Sequence, residues 1–273
     1  MKILLIGGNG MLGKNIEKNF KKNHCVFSFN KNDLDITNFE KVENVFLDIK
    51  PELTINCAAY TDVENAEIEK ELAFLVNSKG AKNIAIMAQK TNSILIHFST
   101  DYVFDGKKNH PYTPNDIPNP INIYGQSKLD GENEIKKHCK NYYIIRTAWL
   151  YGNYKNCFVN KMISKIKNNE EIFVINNETG SPTFVQEISN NIENILKKDF
   201  GLYHLVCNKS ATRVELVEEI SNILNIKAKI TKIDEKQLNL KAKRPKYSVL
   251  KSDFAVNDWK RSLEDYIKNQ SSG

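Results

Sequence analysis

At 273 residues with 41% hydrophobic content the chain can bury a sizeable core, which excludes a disordered polymer. No apolar run approaches the roughly 20 residues that cross a bilayer, and the opening "MKILLIGGNG" is too short in apolar residues for a secretory signal, so a cytoplasmic protein without membrane contact is expected. The net charge of +6 arises from 39 basic and 33 acidic residues, with lysines spread over helix-like segments and no nucleic-acid motif, so a solvated surface is expected rather than a nucleic-acid partner.

Short apolar runs at residues 2–7, 25–30, 53–58, 93–99 and 142–147 alternate with helix-like periodicity near 11–22, 38–49, 66–90 and 123–138. This rhythm predicts an α/β fold, a Rossmann-like doubly wound parallel sheet over residues 1–150. Past residue 150, helix-like stretches at 156–168, 185–198, 212–225 and 258–269 are separated by shorter strands such as "IFVI" and "LYHLV". They predict a smaller C-terminal portion, residues 151–273, packed against the first, with strand exchange between the two left open. The closing "NQSSG" reads as frayed. Cys25, Cys57, Cys139, Cys157 and Cys207 lack C-x-x-C spacing, and the histidines form no ligand pattern with them, which predicts reduced thiols and no metal.

The first chemical signal follows the first strand. In "LLIGGNGMLG", Gly8, Gly10 and Gly13 satisfy G-x-G-x-x-G, while Gly7, Gly10 and Gly13 satisfy G-x-x-G-x-x-G. Such a loop lets backbone approach a pyrophosphate at the positive end of a helix. The second strand ends in Asn30 and Lys31, where an NAD-binding fold usually places a carboxylate for the adenosine ribose. Asn30 in place of that carboxylate, which would repel a 2′-phosphate, and the neighbouring Lys31 favour NADPH, with NADH as the alternative.

The second signal is "YGQSK". Tyr124 and Lys128 share one helical face, so the ammonium is expected beneath the phenol, lowering its pKa and readying it as a proton donor. Tyr151 with Lys155 and Tyr247 with Lys251 share the spacing, but only Tyr124 follows the fourth strand. That strand ends in Ser99, Thr100 and Asp101. Ligands of parallel sheets bind beyond the carboxyl ends of the strands, so Thr100 is expected beside Tyr124, where its hydroxyl can bond a developing alkoxide. A capping cluster is the alternative reading of these three residues.

These motifs resemble the extended short-chain dehydrogenase/reductase superfamily. The matches "LDIT" (34–37), "NCAAYTDVENAE" (56–67), "STDYVFDG" (99–106), "NIYGQSKLDGE" (122–132), "RTAWLYG" (146–152), "GSPTF" (180–184), "GLYHL" (201–205) and "RPKYSVL" (244–250) resemble the dTDP-4-dehydrorhamnose reductase family over nearly the whole chain. The resemblance implies that the loop with Gly7, Gly10, Met11, Leu12 and Gly13 holds the pyrophosphate of NADPH and that Asn30 lies by the adenosine ribose. Asp35 and Ile36 would sit near the adenine, and Ala58, Ala59 and Tyr60 would form a cofactor-binding turn. It further implies Thr100 and Asp101 against the sugar, Tyr124 as proton donor, Lys128 as its ribose-binding partner and Trp149 as an aromatic wall. Arg244 or Lys246 would meet the diphosphate of a nucleotide-sugar substrate.

The implied reaction reduces the 4-keto group of dTDP-4-dehydro-6-deoxy-L-mannose to dTDP-L-rhamnose, the last step in making that activated sugar. Some relatives are metal-bridged dimers with an acidic residue just after the glycine loop, where this chain has Lys14 and Asn15, with Glu17 beyond; no metal is predicted, and monomer or homodimer stays open. Cys57 stands where alanine is common and reads as core packing. Two alternatives remain: a reductase or epimerase of another nucleotide-linked keto sugar, and a non-catalytic binding module, since the regulatory subunit of methionine adenosyltransferase resembles this family. The intact Thr100, Tyr124 and Lys128 argue against the second.

Overall fold

The computed structural model describes residues 1–154 and 156–270. Lys155, the partner weighed for Tyr151, and the tail residues Ser271, Ser272 and Gly273 lie outside the described residues.

The first half alternates β1 (Lys2–Ile6), α1 (Met11–Phe20), β2 (Cys25–Phe29), α2 (Phe39–Ile49), β3 (Leu53–Asn56), α3 (Val63–Ala66), α4 (Lys70–Phe74), α5 (Ala81–Lys90), β4 (Ile94–Thr100), α6 (Ile123–His138) and β5 (Tyr142–Thr147). The second half holds β6 (Leu150–Tyr151), α7 (Phe158–Lys167), β7 (Glu171–Ile175), β8 (Thr179–Gly180), β9 (Thr183–Phe184), α8 (Val185–Ile195), β10 (Gly201–His204), β11 (Ala211–Thr212), α9 (Arg213–Leu224), β12 (Lys229–Ile233) and α10 (Trp259–Gln270). Asn269 and Gln270, read from the sequence as frayed, close α10; Tyr266 and Ile267, buried one turn earlier, hold that end of the helix in place.

Six strands in the order β10-β5-β4-β3-β1-β2 form one sheet, and every pairing in it is parallel. Parallel strands buried on both faces read as unbroken apolar runs, as "ILLI" of β1 does with all four side chains buried. Each such side chain contributes roughly 1.5–3 kcal/mol relative to its exposed state. One face packs on α2 and α5 through Val42, Phe46, Ile84 and Met87; the other packs on α1 and α8 through Ile16, Ile188 and Ile192. Strand β10 and helix α8 come from the second half of the chain, yet β10 extends the sheet beside β5 and α8 is tied to α1 by Asn19 Nδ2 donating to Ser189 Oγ at 2.7 Å. The rest of the second half gathers α7, α9 and α10 around β7 and β12, with Met162, Val217, Trp259 and Leu263 at the centre.

Residues 66–90, predicted as one helix, are broken. Asp62 caps the short α3 by accepting from Asn65 N at 3.0 Å, and a π-helical turn over Leu75–Gly80 separates α4 from α5. The extra residue in that turn brings Asn77 into the interior, where its Oδ1 accepts from Tyr60 N at 2.8 Å and its Nδ2 donates to Tyr60 O and Ser127 Oγ. Among the described residues, no helix is long and apolar enough to cross a membrane.

Candidate active site

The chain leaves β1 for β2 on one side and returns through β3 on the other, so the sheet's strand order reverses between β1 and β3. Loops flanking such a reversal form a ready crevice. A cleft of about 700 Å³ opens there, at the carboxyl ends of the strands. Gly7 takes φ 82°, and a Cβ on it would lie 2.7 Å from Ala58 N, so the glycine loop nests on the turn after β3. Gly10 precedes α1, whose first amides have no side-chain cap and no acidic residue in the first turn. Those amides are left to receive an anion, which fits the pyrophosphate of a dinucleotide. Met11, Leu12, Gly13, Asn30, Asp35, Ile36, Ala58, Ala59 and Tyr60 line the same cleft. Asp35 is held low by the hydroxyl and amide of Thr37, and Lys31 lies exposed at the rim beside Asn30.

The other end of the cleft is built by β4 and α6. Asn122 caps α6 by accepting from Gly125 N at 2.8 Å, which fixes the first turn and with it Tyr124. Thr100 ends β4, caps a short 3₁₀ turn by accepting from Tyr102 N at 3.1 Å, and donates to Asp101 Oδ1 at 3.0 Å. The capping role does not exclude the site reading of Thr100, because the same hydroxyl lines the cleft with the Tyr124 phenol and is near enough to lower its pKa. Asp101 is buried, which pushes its pKa up to about 6 against the pull of Ser248, Thr100 and Arg213.

The expected lowering of the Tyr124 pKa is corrected here. Loss of solvation, aided by the Asp101 charge, pushes the phenol up to about 12, and the Thr100 hydroxyl offsets only part of this. Lys128 does not point its charge at the phenol: its Nζ donates to Phe98 O at 2.7 Å and lies 3.3 Å from His97 Nε2. Burial lowers Lys128 to about 8. Tyr124 therefore keeps its proton at neutral pH, the loaded state of a donor.

Trp149 forms the far wall. It takes the left-handed conformation, φ 44°, which a bulky residue adopts only when its surroundings hold it there. Gly180 lies under the indole, where a Cβ would come within 2.3 Å of the ring, and the Arg213 guanidinium covers it at 3.5 Å from the ring centre. Arg213 is paired with the buried Glu178 at 3.5 Å and lines the cleft. Sequence reasoning missed Arg213, Glu178 and Gly180 as a group; "GSPTF" was the only hint.

Arg244 stands just behind the cleft lining, within electrostatic reach of Tyr102 and Arg213, which do line it. Its guanidinium donates to Glu64 Oε1 at 3.1 Å, beside Tyr102, while Lys246 is exposed outside the lining. Tyr151 is buried against Phe184, 5.5 Å between ring centres, in the core of the second half, and Tyr247 bridges to Thr179. Neither reaches the cleft.

The profile of the RmlD substrate binding domain family matches residues 1–271. A dTDP-4-dehydrorhamnose reductase of Aggregatibacter actinomycetemcomitans is 32% identical over 97% of each chain. The solved dTDP-4-dehydrorhamnose reductase of Clostridium acetobutylicum superposes with a TM-score of 0.95 at 38% identity, covering 99% of this chain and 100% of that one. That of Bacillus anthracis, in complex with NADP, also gives 0.95, at 36% identity over 98% of this chain and 99% of that one. Likeness of this degree over the whole length makes the chain a member of the dTDP-4-dehydrorhamnose reductase family.

Proposed function

We propose that this protein is an oxidoreductase that reduces the 4-keto group of dTDP-4-dehydro-L-rhamnose to dTDP-L-rhamnose with NADPH. The observation that carries the reading is one cleft with a glycine cradle at one end and the phenol of Tyr124 and the hydroxyl of Thr100 lining the other. NADPH supplies the hydride. The amides of Met11, Leu12 and Gly13 hold its pyrophosphate, and Asn30 lies at the adenosine ribose with Lys31 at the 2′-phosphate. Asp35 and Ile36 flank the adenine, while the turn Ala58–Tyr60 closes over the cofactor. The NADP held by the Bacillus anthracis relative supports this choice over NADH.

The keto sugar lies between Trp149 and Tyr124. Tyr124 gives its proton to the carbonyl oxygen as charge develops there, and Thr100, freed from Asp101, turns its hydroxyl to the same oxygen. Asp101 accepts from a sugar hydroxyl. Arg213, the arginine that lines the cleft, meets the diphosphate, and the segment around "GSPTF" in residues 151–273 completes the nucleotide side. Lys128 supports the phenolate left on Tyr124.

Nicotinamide absorbance tests this directly, with purified protein, enzymatically prepared dTDP-4-dehydro-L-rhamnose, and NADPH or NADH. Loss of absorbance with NADPH, absent in Tyr124→Phe, is the expected result. An epimerase returns its hydride and shows no net loss, so that result would overturn the reading.

A further inference from the structure

Asn56 and His97 stand behind Lys128 without lining the cleft. Asn56 Oδ1 accepts from Ala58 N at 3.0 Å, which orients the amide so that its Nδ2 faces His97 Nδ1 at 2.9 Å. An amide nitrogen only donates, so Nδ1 of His97 must accept. The imidazole is buried and its pKa is held well below its ordinary value, first by that burial and then by Lys128, so it is neutral. Its single proton is therefore on Nε2, 3.3 Å from Lys128 Nζ. An ammonium there would face N–H with N–H. A neutral amine fits both contacts: it donates to Phe98 O and receives the Nε2 proton on its lone pair.

We propose that Asn56 and His97 form a tautomer lock that disfavours the charged form of Lys128 in the free protein and thereby sets the upper pH limit below which its ammonium can support Tyr124. The functional half of this rests on the reductase reading; the protonation half does not. The other groups around Lys128 leave the assignment standing. Tyr124, one turn before it on α6, carries its own proton, and Cys57, just after β3, is a half-buried thiol pushed up in pKa by loss of solvation. Glu132, one turn after it on α6, raises the Lys128 pKa, but its oxygens are already taken by Ser99 Oγ from β4 at 2.6 Å and by Arg146 from β5 at 2.8 and 2.6 Å. Asn56 and His97 are positioning residues, since both act through Lys128.

Asn56→Asp reverses the lock with almost no change of shape. The oxygen that replaces Nδ2 can only accept, so His97 must donate from Nδ1 and offer Nε2 as an acceptor to an ammonium. The experiment titrates the ε-carbon of Lys128 by NMR in ligand-free protein labelled in lysine, the resonance being assigned by its loss in Lys128→Met. The expected midpoint is about 8 in the wild type and higher by about one unit or more in Asn56→Asp. When His97→Asn is combined with Asn56→Asp, the upward shift caused by the introduced carboxylate should shrink to a fraction, because no tautomer remains to reverse. A wild-type midpoint at the ordinary lysine value overturns the lock without any variant. An undiminished shift in the double variant also overturns it, leaving only charge. The high-pH limb of kcat/KM should move up with the midpoint in Asn56→Asp; a shifted midpoint with no turnover in any variant would count against the reductase reading alone.

Discussion

At the scale of single residues, the site depends on which groups hold protons. A phenol raised to about 12 is protonated across the neutral range, so Tyr124→Phe removes a donor rather than a base. Its kcat should fall by about 10²–10⁴-fold, the usual worth of a positioned acid, with the Kd for NADPH unchanged within about threefold by fluorescence titration. Asp101 gives the pH dependence at the other limit. Its pKa is raised to about 6, so its charge is lost as pH falls through that value, and an accepting carboxylate becomes a protonated one. The KM for the keto sugar should rise several-fold below pH 6, and Asp101→Asn should have a high KM that no longer varies with pH; steady-state kinetics over that range check both. Gly180→Ala places a methyl within 2.3 Å of the Trp149 ring, which must shift from its place in the cleft wall. It should lower kcat/KM by roughly tenfold while leaving NADPH affinity intact, because Trp149 is the one wall it displaces.

At the scale of elements, much was legible because the physics is local. Helix α6 was read from its periodicity with the bounds it has, and the structure supplies the reason for those bounds: Asn122 caps its start, and Lys136, Lys137 and His138 fill its last turn. Four of the five runs, β1, β3, β4 and β5, were legible because strands buried on both faces must be continuously apolar, whereas β2 lies at the sheet edge with no buried residue and was legible from its own apolar content. The π-helical turn was not, because one inserted residue barely disturbs the periodicity of residues 66–90. Its meaning lies in the partners of Asn77, which are 17 and 50 residues away. By bonding both the amide and the carbonyl of Tyr60, Asn77 holds the turn after β3 in the shape that meets the glycine loop. Asn77→Ala should therefore weaken NADPH binding by roughly tenfold, the loss of one to two buried hydrogen bonds, with kcat at saturating cofactor nearly unchanged. A calorimetric Kd beside a saturated rate separates this from a general loss of fold. The sandwich of Gly180, Trp149 and Arg213 was legible only in part: Trp149 and Gly180 stand in the motifs "RTAWLYG" and "GSPTF", while Arg213 lies in no motif and joins them only in space.

At the scale of the molecule, the boundary near residue 150 marks a change of rhythm, but the chain crosses it more than once. Strand β10 covers the edge of β5, with Leu202 and His204 in register with Ile144 and Arg146. Helix α8 places Ile188, Ile192 and Ile195 on the same face of the sheet as Ile3 and Leu5. Met11 and Phe184 pack against both that cluster and the one at the centre of the second half, so the two cores share side chains. A fragment ending near residue 152 would expose the β5 edge and strip one face of its cover, leaving a bare parallel edge prone to association. That fragment should aggregate or stay unfolded, whereas the full chain should give a single calorimetric transition despite its length, with a van't Hoff enthalpy close to the calorimetric one. NADPH should raise that whole transition, by about 2.7 kcal/mol at a hundredfold excess over Kd, without splitting it. Two resolved peaks, with only the first moving on addition of NADPH, would mean that α8 and β10 detach from the sheet before it melts, and that the two cores are coupled less than their shared residues imply.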